Sequence, residues 1–187
     1  MAELATGHLK GVTNGAALVL GSGLGGGIII NGKLFQGSHF QAGELTFLLP
    51  LQMEKIDPSL MQGTTLSAVG LITKVNEILA SLDLKDGLLA FKAINAKKEA
   101  VYPIFETYCR NLAITILNLQ TIFDMETFVL GGGISAQSIL IEEVNRQFDK
   151  VHHEIDFIGK IIKRPKIVAC HHNGTNLIGA AYFLKQG

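Results

Sequence analysis

The chain has 187 residues, of which 48% are hydrophobic and 17% charged, so it can bury a substantial core in one domain or in a domain with an extension. Its 16 basic and 16 acidic side chains balance, which disfavours binding to DNA or RNA because no basic field concentrates nucleic acid. No apolar stretch reaches the length of a membrane span, and the N-terminus lacks the apolar core of a signal peptide. Two cysteines, Cys109 and Cys170, are too few for a disulfide framework. We therefore expect a cytoplasmic protein without nucleic-acid or membrane partners.

The first part of the chain predicts strands joined by a glycine-rich loop. Ile28–Ile30 is β-branched, and the turn dipeptide Asn31-Gly32 after it is typical of a hairpin. Residues 36–57 show no periodic pattern and are predicted to be mostly irregular. The predicted elements of this part are the end of a helix over residues 1–9, a strand over 16–20, the glycine-rich loop over 21–27 and a hairpin over 28–35.

The rest of the chain alternates helices with strands. In residues 99–124 apolar side chains recur in steps of three and four, and Ile114 and Leu117 add a second apolar face, which predicts a long helix whose later half is buried all round. Hairpin strands followed by this alternation predict an α/β fold. The predicted elements are helices from Thr64 or Thr65 to about Leu82, from Asp86-Gly87 to Ile94, from about Glu99 to Asp124 and from about Gln137 to His153, strands over 127–130 and 166–170, and a closing helix from Asn176 to Lys185.

Five glycines lie among residues 21–27, and this segment is the most informative feature of the chain. Glycine lets a backbone approach a ligand where a Cβ atom would clash, and successive N–H groups in such a loop form a concavity that binds anions. The first interpretation is therefore a phosphate cradle between two strands. The alternative is a tight turn without a ligand, although so many glycines are costly in chain entropy.

Two familiar phosphate motifs fit this segment less well. Residues 21–26 match G-x-G-x-x-G, and Glu44 follows about where a ribose-binding acid would stand, but a dinucleotide loop opens into a helix, whereas a strand follows here. Residues 27–34 resemble a P-loop but lack the hydroxyl after the lysine that holds Mg²⁺. We therefore disfavour the dinucleotide site and reject the P-loop.

A second glycine cluster, Gly131-Gly132-Gly133, follows the predicted strand over residues 127–130. Ligands of open α/β sheets bind outside the carboxyl ends of the strands, and both clusters fall at such ends. A nucleotide could lay its phosphates on the first cluster and its adenosine against the second. Taken alone, the second cluster could be a simple helix-start turn, but the pairing favours a nucleotide.

These segments together resemble the signature of ROK proteins, a family of repressors, open reading frames and kinases. The resemblance covers nearly the whole chain in the right order. It implies an actin/hexokinase-like (ribonuclease H-like) fold, with a mixed sheet, helices on both faces, and two lobes that bind a sugar and ATP with Mg²⁺ in the cleft between them. The segments that carry it are Leu20–Gly27, Asn31–Leu34, Gly37 with Ala42–Glu44, Val129–Ser135 and Gly179–Ala181.

The resemblance also implies a role for each candidate residue. The backbone of residues 21–26, with the Ser22 hydroxyl, would contact the ATP phosphates. Glu44 would accept hydrogen bonds from sugar hydroxyls, and a sugar without them would leave that carboxylate unpaired. From the residues alone, Glu44 could equally be a solvated loop acid. The implied phosphate-binding residues are Gly21, Ser22, Gly23, Leu24, Gly25 and Gly26, and the implied adenosine-binding residues are Gly131, Gly132 and Gly133.

The family's kinases begin with a smaller lobe, which ends in an Asn-Asp pair whose Asp is the general base. Met1–Ala5 resembles the residues just after that pair. We therefore expect residues 1–187 to be the C-terminal, larger lobe of a two-lobed protein, with the N-terminal lobe absent and the base upstream of Met1. Phosphoryl transfer needs groups on both sides of the reacting phosphate, so we expect no catalytic residue in this chain and no appreciable kinase activity from it alone.

The residues expected for zinc binding and for sugar recognition also differ from the family pattern. Many members carry Gly-Glu-x-Gly-His and then a cysteine run that binds zinc, whereas residues 43–47 contain no histidine and residues 47–82 no cysteine. The neighbouring pairs His152-His153 and His171-His172 lack ligand spacing, and we interpret them as surface or strand-end residues. We therefore expect no zinc and no other metal site. Residues 58–76 contain no acid to serve as the family's second sugar-binding glutamate, so the sugar can differ from glucose.

Two classes of function remain open. The first is an ATP-dependent kinase for a hexose or hexose derivative, in which this lobe binds the nucleotide and forms a homodimer. The second is the core of a sugar-responsive transcriptional repressor. The intact glycine clusters favour the kinase, because a repressor need not keep an ATP cradle. A third possibility is a lobe that only oligomerises, since the helix over residues 99–124 could supply an interface.

Overall fold

The computed structural model describes residues 2–49, 55–154 and 156–171. The predicted helix over 176–185 and the family-like segment Gly179–Ala181 lie outside the described residues. A mixed sheet forms the centre of the described part. Its strands are β1 (Gly15–Leu20), β2 (Leu24–Ile30), β3 (Lys33–Phe35), β4 (Thr127–Gly131) and β5 (Lys166–Ala169).

The strand order in the sheet is β3-β2-β1-β4-β5. β1, β2 and β3 form an antiparallel meander, and Asn31 and Gly32 make the predicted turn between β2 and β3 with positive φ at both residues. β4 lies parallel to β1, and β5 lies parallel to β4. The predicted α/β fold with a mixed sheet is confirmed, and the parallel strands bring their carboxyl ends to one edge.

Helices connect and cover the strands. As predicted, Asp86 caps a helix by accepting a hydrogen bond from the Leu89 N–H at 2.9 Å. No helix among the described residues is both long and apolar enough to cross a membrane. The helices are α1 (Ala2–Thr6), α2 (Gln62–Thr65), α3 (Ala68–Ile78), α4 (Gly87–Asn95), α5 (Tyr102–Phe123), α6 (Ser138–His153) and α7 (Ile158–Ile161), with 3-10 turns at Leu45–Phe47 and Pro58–Leu60.

Both faces of the sheet carry a hydrophobic core. Side chains alternate along a strand, so Leu18 and Leu20 of β1 point to the same face, where they join the large core formed with α5 and α6. On the opposite face, Leu9 and Val129 belong to a smaller core, against which Leu4 of α1 packs. Helices therefore lie on both faces, as expected for this fold.

The glycine-rich segment is shorter as a loop than predicted. Residues 25–27 belong to β2 and pair with residues 17–19 of β1, so the connecting turn contains residues 21–23 alone. The low strand propensity of glycine is overridden here by pairing within the sheet.

The predicted helix from Thr64 or Thr65 to Leu82 is wrong in its start and its continuity. α2 ends at Thr65, and α3 begins anew because the Ser67 hydroxyl accepts the Gly70 N–H at 3.0 Å. The first residue of α3 also contacts the turn at the end of β1, since the Ala68 N–H donates to the Gly21 carbonyl at 2.8 Å.

Two predictions about burial are also wrong. The later half of α5 is not buried all round, because Leu117 is buried but Ile114 and Ile122 are 37% and 69% exposed. His152 is not a surface residue: it is 4% exposed, and its Nε2–H donates to the Ile162 carbonyl at 2.6 Å. An imidazole on a helix can fill a core position when a backbone carbonyl accepts its proton.

Candidate functional site

The turn between β1 and β2 forms the exposed tip of a hairpin. Gly21, Ser22 and Gly23 make this turn, which closes when the Gly21 N–H donates to the Gly23 carbonyl at 3.1 Å. Ser22 is exposed, and within the described residues neither its N–H nor that of Gly23 donates to a protein acceptor. Two unused main-chain N–H groups at an exposed turn can hold an anion.

An open hollow of about 530 Å³ lies beside the tip. Residues 21–25 line it together with Val19, Thr46, Gly63 and Thr64. All of these residues are uncharged. Attraction for an anion would therefore come from main-chain N–H groups and the Ser22 hydroxyl rather than from cationic side chains, since the hydroxyls of Thr46 and Thr64 already donate to protein carbonyls.

The candidate phosphate-binding residues do not all offer the same groups to this hollow. Residues 21–23 form the tip beside it, where Ser22 is exposed and Gly21 and Gly23 are half-buried, and Gly25 is exposed next to them. Leu24 is buried, and both its N–H and its C=O are hydrogen-bonded to Thr46. Free N–H groups are therefore found in the tip and not at Leu24.

Gly26 packs within the protein instead of lining the hollow. A Cβ atom on Gly26 would lie 2.6 Å from the Gly43 carbonyl oxygen, and one on Gly43 would lie 2.5 Å from the Gly26 carbonyl oxygen. Gly43 also has a φ of +90°, which side chains rarely tolerate. The two glycines therefore let the segment before Glu44 cross β2 at backbone contact.

Glu44 follows this crossing at the start of the 3-10 turn Leu45–Phe47. It is exposed, whereas Leu45 is buried and anchors the turn in the core. Among the described residues, no hydrogen bond or ion pair engages the Glu44 carboxylate. The carboxylate is thus available to hydroxyl groups of a ligand.

Thr46 is the functional-site residue that sequence reasoning missed. Its hydroxyl accepts the Leu24 N–H at 3.1 Å and donates to the Leu24 carbonyl at 3.0 Å. The two residues are 22 positions apart, and a threonine in an aperiodic segment gives no local signal of such a contact. Its place two residues after Glu44 is the signal that could have found it.

The second glycine cluster meets the first at the same edge of the sheet. β1 and β4 are parallel neighbours, with Val19 in register with Gly131. Gly132 has a φ of +101°, and a Cβ atom there would lie 2.1 Å from the Leu20 carbonyl oxygen. The Ser135 hydroxyl stabilises the loop after β4 by donating to the Gly132 carbonyl at 2.8 Å. The predicted meeting of the two clusters is confirmed.

Gly21 and Gly133, like Gly27 within β2, are glycines for which the described protein gives no packing reason. A Cβ atom on either would meet no described atom within 4 Å, and neither has a positive φ. One lies in the hairpin tip and the other beyond β4. Both therefore leave open space at the edge where the two clusters meet.

The described residues show no ligand set for a metal ion. Within residues 2–49, 55–154 and 156–171, no three His, Cys, Asp or Glu side chains are placed to share one. Phe47, which stands where the family pattern has histidine, is 64% exposed. The N–H groups and the Ser22 hydroxyl of the hollow are suited to a polyanion rather than to a bare cation.

Curated relatives of this chain are sugar kinases. The chain is 27% identical over 188 residues to the N-acetyl-D-glucosamine kinase of Vibrio atlanticus (strain LGP32), covering 95% of this chain and 60% of that kinase. It is 27% identical over 189 residues to the beta-glucoside kinase of Klebsiella pneumoniae, covering 100% of this chain and 60% of that kinase. The chain thus spans 60% of the length of these relatives.

Solved structures share the fold. A ROK family protein from Streptococcus pneumoniae TIGR4 in complex with sucrose is 27% identical with a TM-score of 0.78, covering 100% of this chain and 63% of that one. A ROK family glucokinase from Streptomyces griseus in complex with glucose and AMPPNP is 21% identical with a TM-score of 0.83, covering 100% and 65%. A ROK family transcriptional regulator, a homolog of the E. coli MLC protein, is 22% identical with a TM-score of 0.70, covering 98% and 48%.

These likenesses establish the actin/hexokinase-like fold that the resemblance implied. The description of one family matches residues 1–187, which is the full length of the chain. This chain therefore belongs to the ROK family.

Proposed function

We propose that this chain is the larger, C-terminal lobe of a two-lobed kinase that transfers the γ-phosphoryl group of ATP to a hexose or hexose derivative. The observation that carries the proposal is the contact of the two glycine clusters, where Gly132 lies against Leu20, beside the unused N–H groups of Ser22 and Gly23. The sugar kinases among the relatives support the same reaction class.

Each candidate residue has a place in this proposal. The Ser22 and Gly23 N–H groups and the Ser22 hydroxyl hold the nucleotide's phosphates, and the hollow beside them gives the phosphates room. Residues 131–133 lie against adenosine, where Gly133 leaves space for the base. Mg²⁺ accompanies ATP and is held largely by phosphate oxygens and water, which suits a hollow without carboxylates.

Glu44 is the proposed sugar-binding residue. Its exposed carboxylate has no partner among the described residues and can accept two hydroxyl hydrogen bonds. Two relatives are kinases of N-acetyl-D-glucosamine and of beta-glucosides, which supports a hexose derivative as the substrate class. Such a carboxylate favours sugars that present both hydroxyls, because a sugar lacking one leaves an acceptor unpaired.

In the proposed reaction, the oxygen of a sugar hydroxyl attacks the γ-phosphorus and the bond to the ADP oxygen breaks. The hydroxyl proton passes to a general base, which we assign to the smaller lobe and not to residues 1–187. This lobe positions the phosphates and the sugar, and positioning with charge stabilisation is the main work of phosphoryl-transfer enzymes.

The proposed protein is a cytoplasmic homodimer. The exposed apolar side chains of Ile114 and Ile122 on α5 support a contact between two copies.

Nucleotide binding tests the proposed function. We expect the chain to bind ADP saturably, and Gly133→Val and Gly21→Val to weaken that binding at least about tenfold, because the added side chains fill space reserved for the nucleotide. Isothermal titration calorimetry on the folded variants measures the effect.

Gly27→Val is the matched control. A Cβ atom on Gly27 also meets nothing within 4 Å, but Gly27 lies within β2, paired with Ala17 of β1, and not at the edge where the two clusters meet. The affinity of the Gly27→Val variant for ADP should equal that of the unsubstituted chain. Equal affinities for all three variants would contradict the assignment of the site, and the absence of saturable ADP binding would contradict the kinase proposal.

A regulator core is the second candidate function, since a ROK transcriptional regulator shares the fold at a TM-score of 0.70. A regulator need not bind ATP. A chain that binds sugar but not ADP in the same titration would favour this candidate over the kinase.

A further inference from the structure

Part of β2 has no neighbouring strand on one side within the part of the chain that the structure describes. β3 pairs with residues 28–30, and among the described residues the earlier part of β2 has no partner strand on the edge away from β1. The segment 43–46 covers this edge. Gly43 crosses at Gly26, and Thr46 bonds to Leu24 at the first position of the strand.

The Thr46 hydroxyl acts as both donor and acceptor in this contact. It accepts the Leu24 N–H at 3.1 Å and donates its proton to the Leu24 carbonyl at 3.0 Å. A single hydroxyl that serves as donor and acceptor to one backbone unit replaces the pair of hydrogen bonds that a strand would supply. Although Thr46 lines the hollow, its proton is therefore not available to a ligand.

The methyl group of Thr46 is equally confined. A Cβ atom on Gly63 would lie 2.6 Å from Thr46 Cγ2, and a Cβ atom on Gly23 would lie 2.9 Å from Thr46 Oγ1. The Thr46 side chain thus packs between the hairpin tip and α2. Serine lacks the methyl group and valine lacks the hydroxyl, so threonine alone among these satisfies both contacts.

We propose that Thr46 is a positioning residue that fixes the hairpin tip relative to the turn carrying Glu44. Through Leu24 it holds the N–H groups of Ser22 and Gly23 in place, and through its own backbone it holds the carboxylate two residues earlier. The phosphate-binding and sugar-binding groups therefore keep one relative geometry. The inference rests on the proposed function for the identity of the two ligands.

Substitution of Thr46 tests the inference. Thr46→Val removes the hydroxyl at nearly constant volume, and we expect it to weaken ADP binding about tenfold, while Thr46→Ser restores affinity to within about threefold of the unsubstituted chain. Calorimetric titration of folded variants with ADP gives these values. Equal affinity of Thr46→Val and the unsubstituted chain would overturn the inference while leaving the proposed function standing.

Thr121→Val is the matched control, because the Thr121 hydroxyl also donates to a backbone carbonyl, that of Leu117 at 2.9 Å, but lies on α5 outside the hollow. It should leave ADP affinity unchanged. A general loss of stability would lower affinity in both variants to the same extent and would speak against a positioning role.

Amide hydrogen exchange separates this inference from the proposed function, because it needs no ligand. We expect Thr46→Val to accelerate exchange of the Leu24 amide at least about tenfold relative to amides in β4. Unchanged exchange at Leu24 would overturn the inference even if ADP binds.

Discussion

Gly26 and Gly43 show how two residues without side chains decide where a functional group lies. Each backbone occupies the space that the other's Cβ atom would need, at 2.6 Å and 2.5 Å from a carbonyl oxygen. The crossing sets the distance between β2 and Glu44. At this scale, glycine matters first for contact between two parts of the protein, whereas at Gly21 and Gly133 we propose that it leaves room for a ligand.

Gly43→Ala should therefore destabilise the protein strongly. The new Cβ atom meets the Gly26 carbonyl oxygen and is held at a φ of +90°, so we expect a loss of about 3 kcal/mol in the free energy of unfolding. Urea unfolding followed by circular dichroism measures it. Gly32→Ala is the control, because Gly32 has a similar φ of +73° with nothing within 4 Å, and it should lose only about 1 kcal/mol. Equal losses would show that backbone strain alone matters.

At the scale of elements, α5 and α6 are joined by a buried carboxylate. Glu143 of α6 is 3% exposed and accepts hydrogen bonds from Tyr102 of α5 at 3.1 Å and from Gln147 at 2.7 Å. Arg146 also donates to it and forms an ion pair with Glu106 of α5. Burial opposes the ionisation of Glu143, but these hydrogen bonds outweigh burial and hold its pKa below the ordinary value. The hydrogen-bonded network, rather than apolar contact alone, fixes how the two helices meet.

Glu143→Gln should weaken this helix pair, since it leaves Arg146 with one fewer anionic partner. We expect a loss of about 2 kcal/mol in the free energy of unfolding at neutral pH. Glu154→Gln is the matched control, because the Arg110–Glu154 ion pair is exposed and exposed pairs contribute about 0–1 kcal/mol. Equal and small losses in thermal or urea unfolding would show that the buried carboxylate is not stabilising.

The same network predicts that the free energy of unfolding depends on pH in the acid range. Because the folded-state pKa of Glu143 lies below its ordinary value of 4.5, the stabilisation is fully present above that pH and is lost as the pH falls through the lower value. The difference in stability between the unsubstituted chain and Glu143→Gln should therefore shrink below pH 4.5. A difference that stays constant from neutral pH to pH 3 would contradict the assignment. Urea midpoints measured across this range decide between the two.

At the scale of the whole molecule, this chain spans 60% of the length of its sugar-kinase relatives. The edge formed by the two glycine clusters and Glu44 presents the proposed phosphate-binding and sugar-binding groups, and we place the general base outside this chain. We therefore expect the isolated chain to bind its ligands without catalysing phosphoryl transfer.

Incubation of the isolated chain with MgATP and a panel of hexoses and hexose derivatives should give no sugar phosphate above the rate without protein. The reason is that proton removal from the attacking hydroxyl lacks a positioned base. A coupled ADP-release assay and direct detection of the sugar phosphate measure this. Turnover that persists after rigorous purification and is lost in Glu44→Gln would contradict the assignment of the base to another lobe.

Local chemistry explains which features could be predicted from the sequence. The β-branched run, the Asn-Gly turn and the Asp86 cap act over a few residues, so their consequences could be predicted. The restart of α3 at Ser67 depends on a buried junction with Gly21, and the contact of Thr46 with Leu24 joins residues 22 positions apart. Such contacts exist only after the sheet has formed, which is why sequence patterns predict too long a loop for the glycine-rich segment and give no sign of Thr46.

The segment 43–46 has one more consequence, which follows from the shortness of β3. A strand edge with unsatisfied amides is a template on which strands of other molecules can assemble. In this chain the Thr46 hydroxyl and the Gly26–Gly43 crossing occupy that edge. The three residues that we propose to align the binding groups thus also keep this edge from pairing with strands of other molecules.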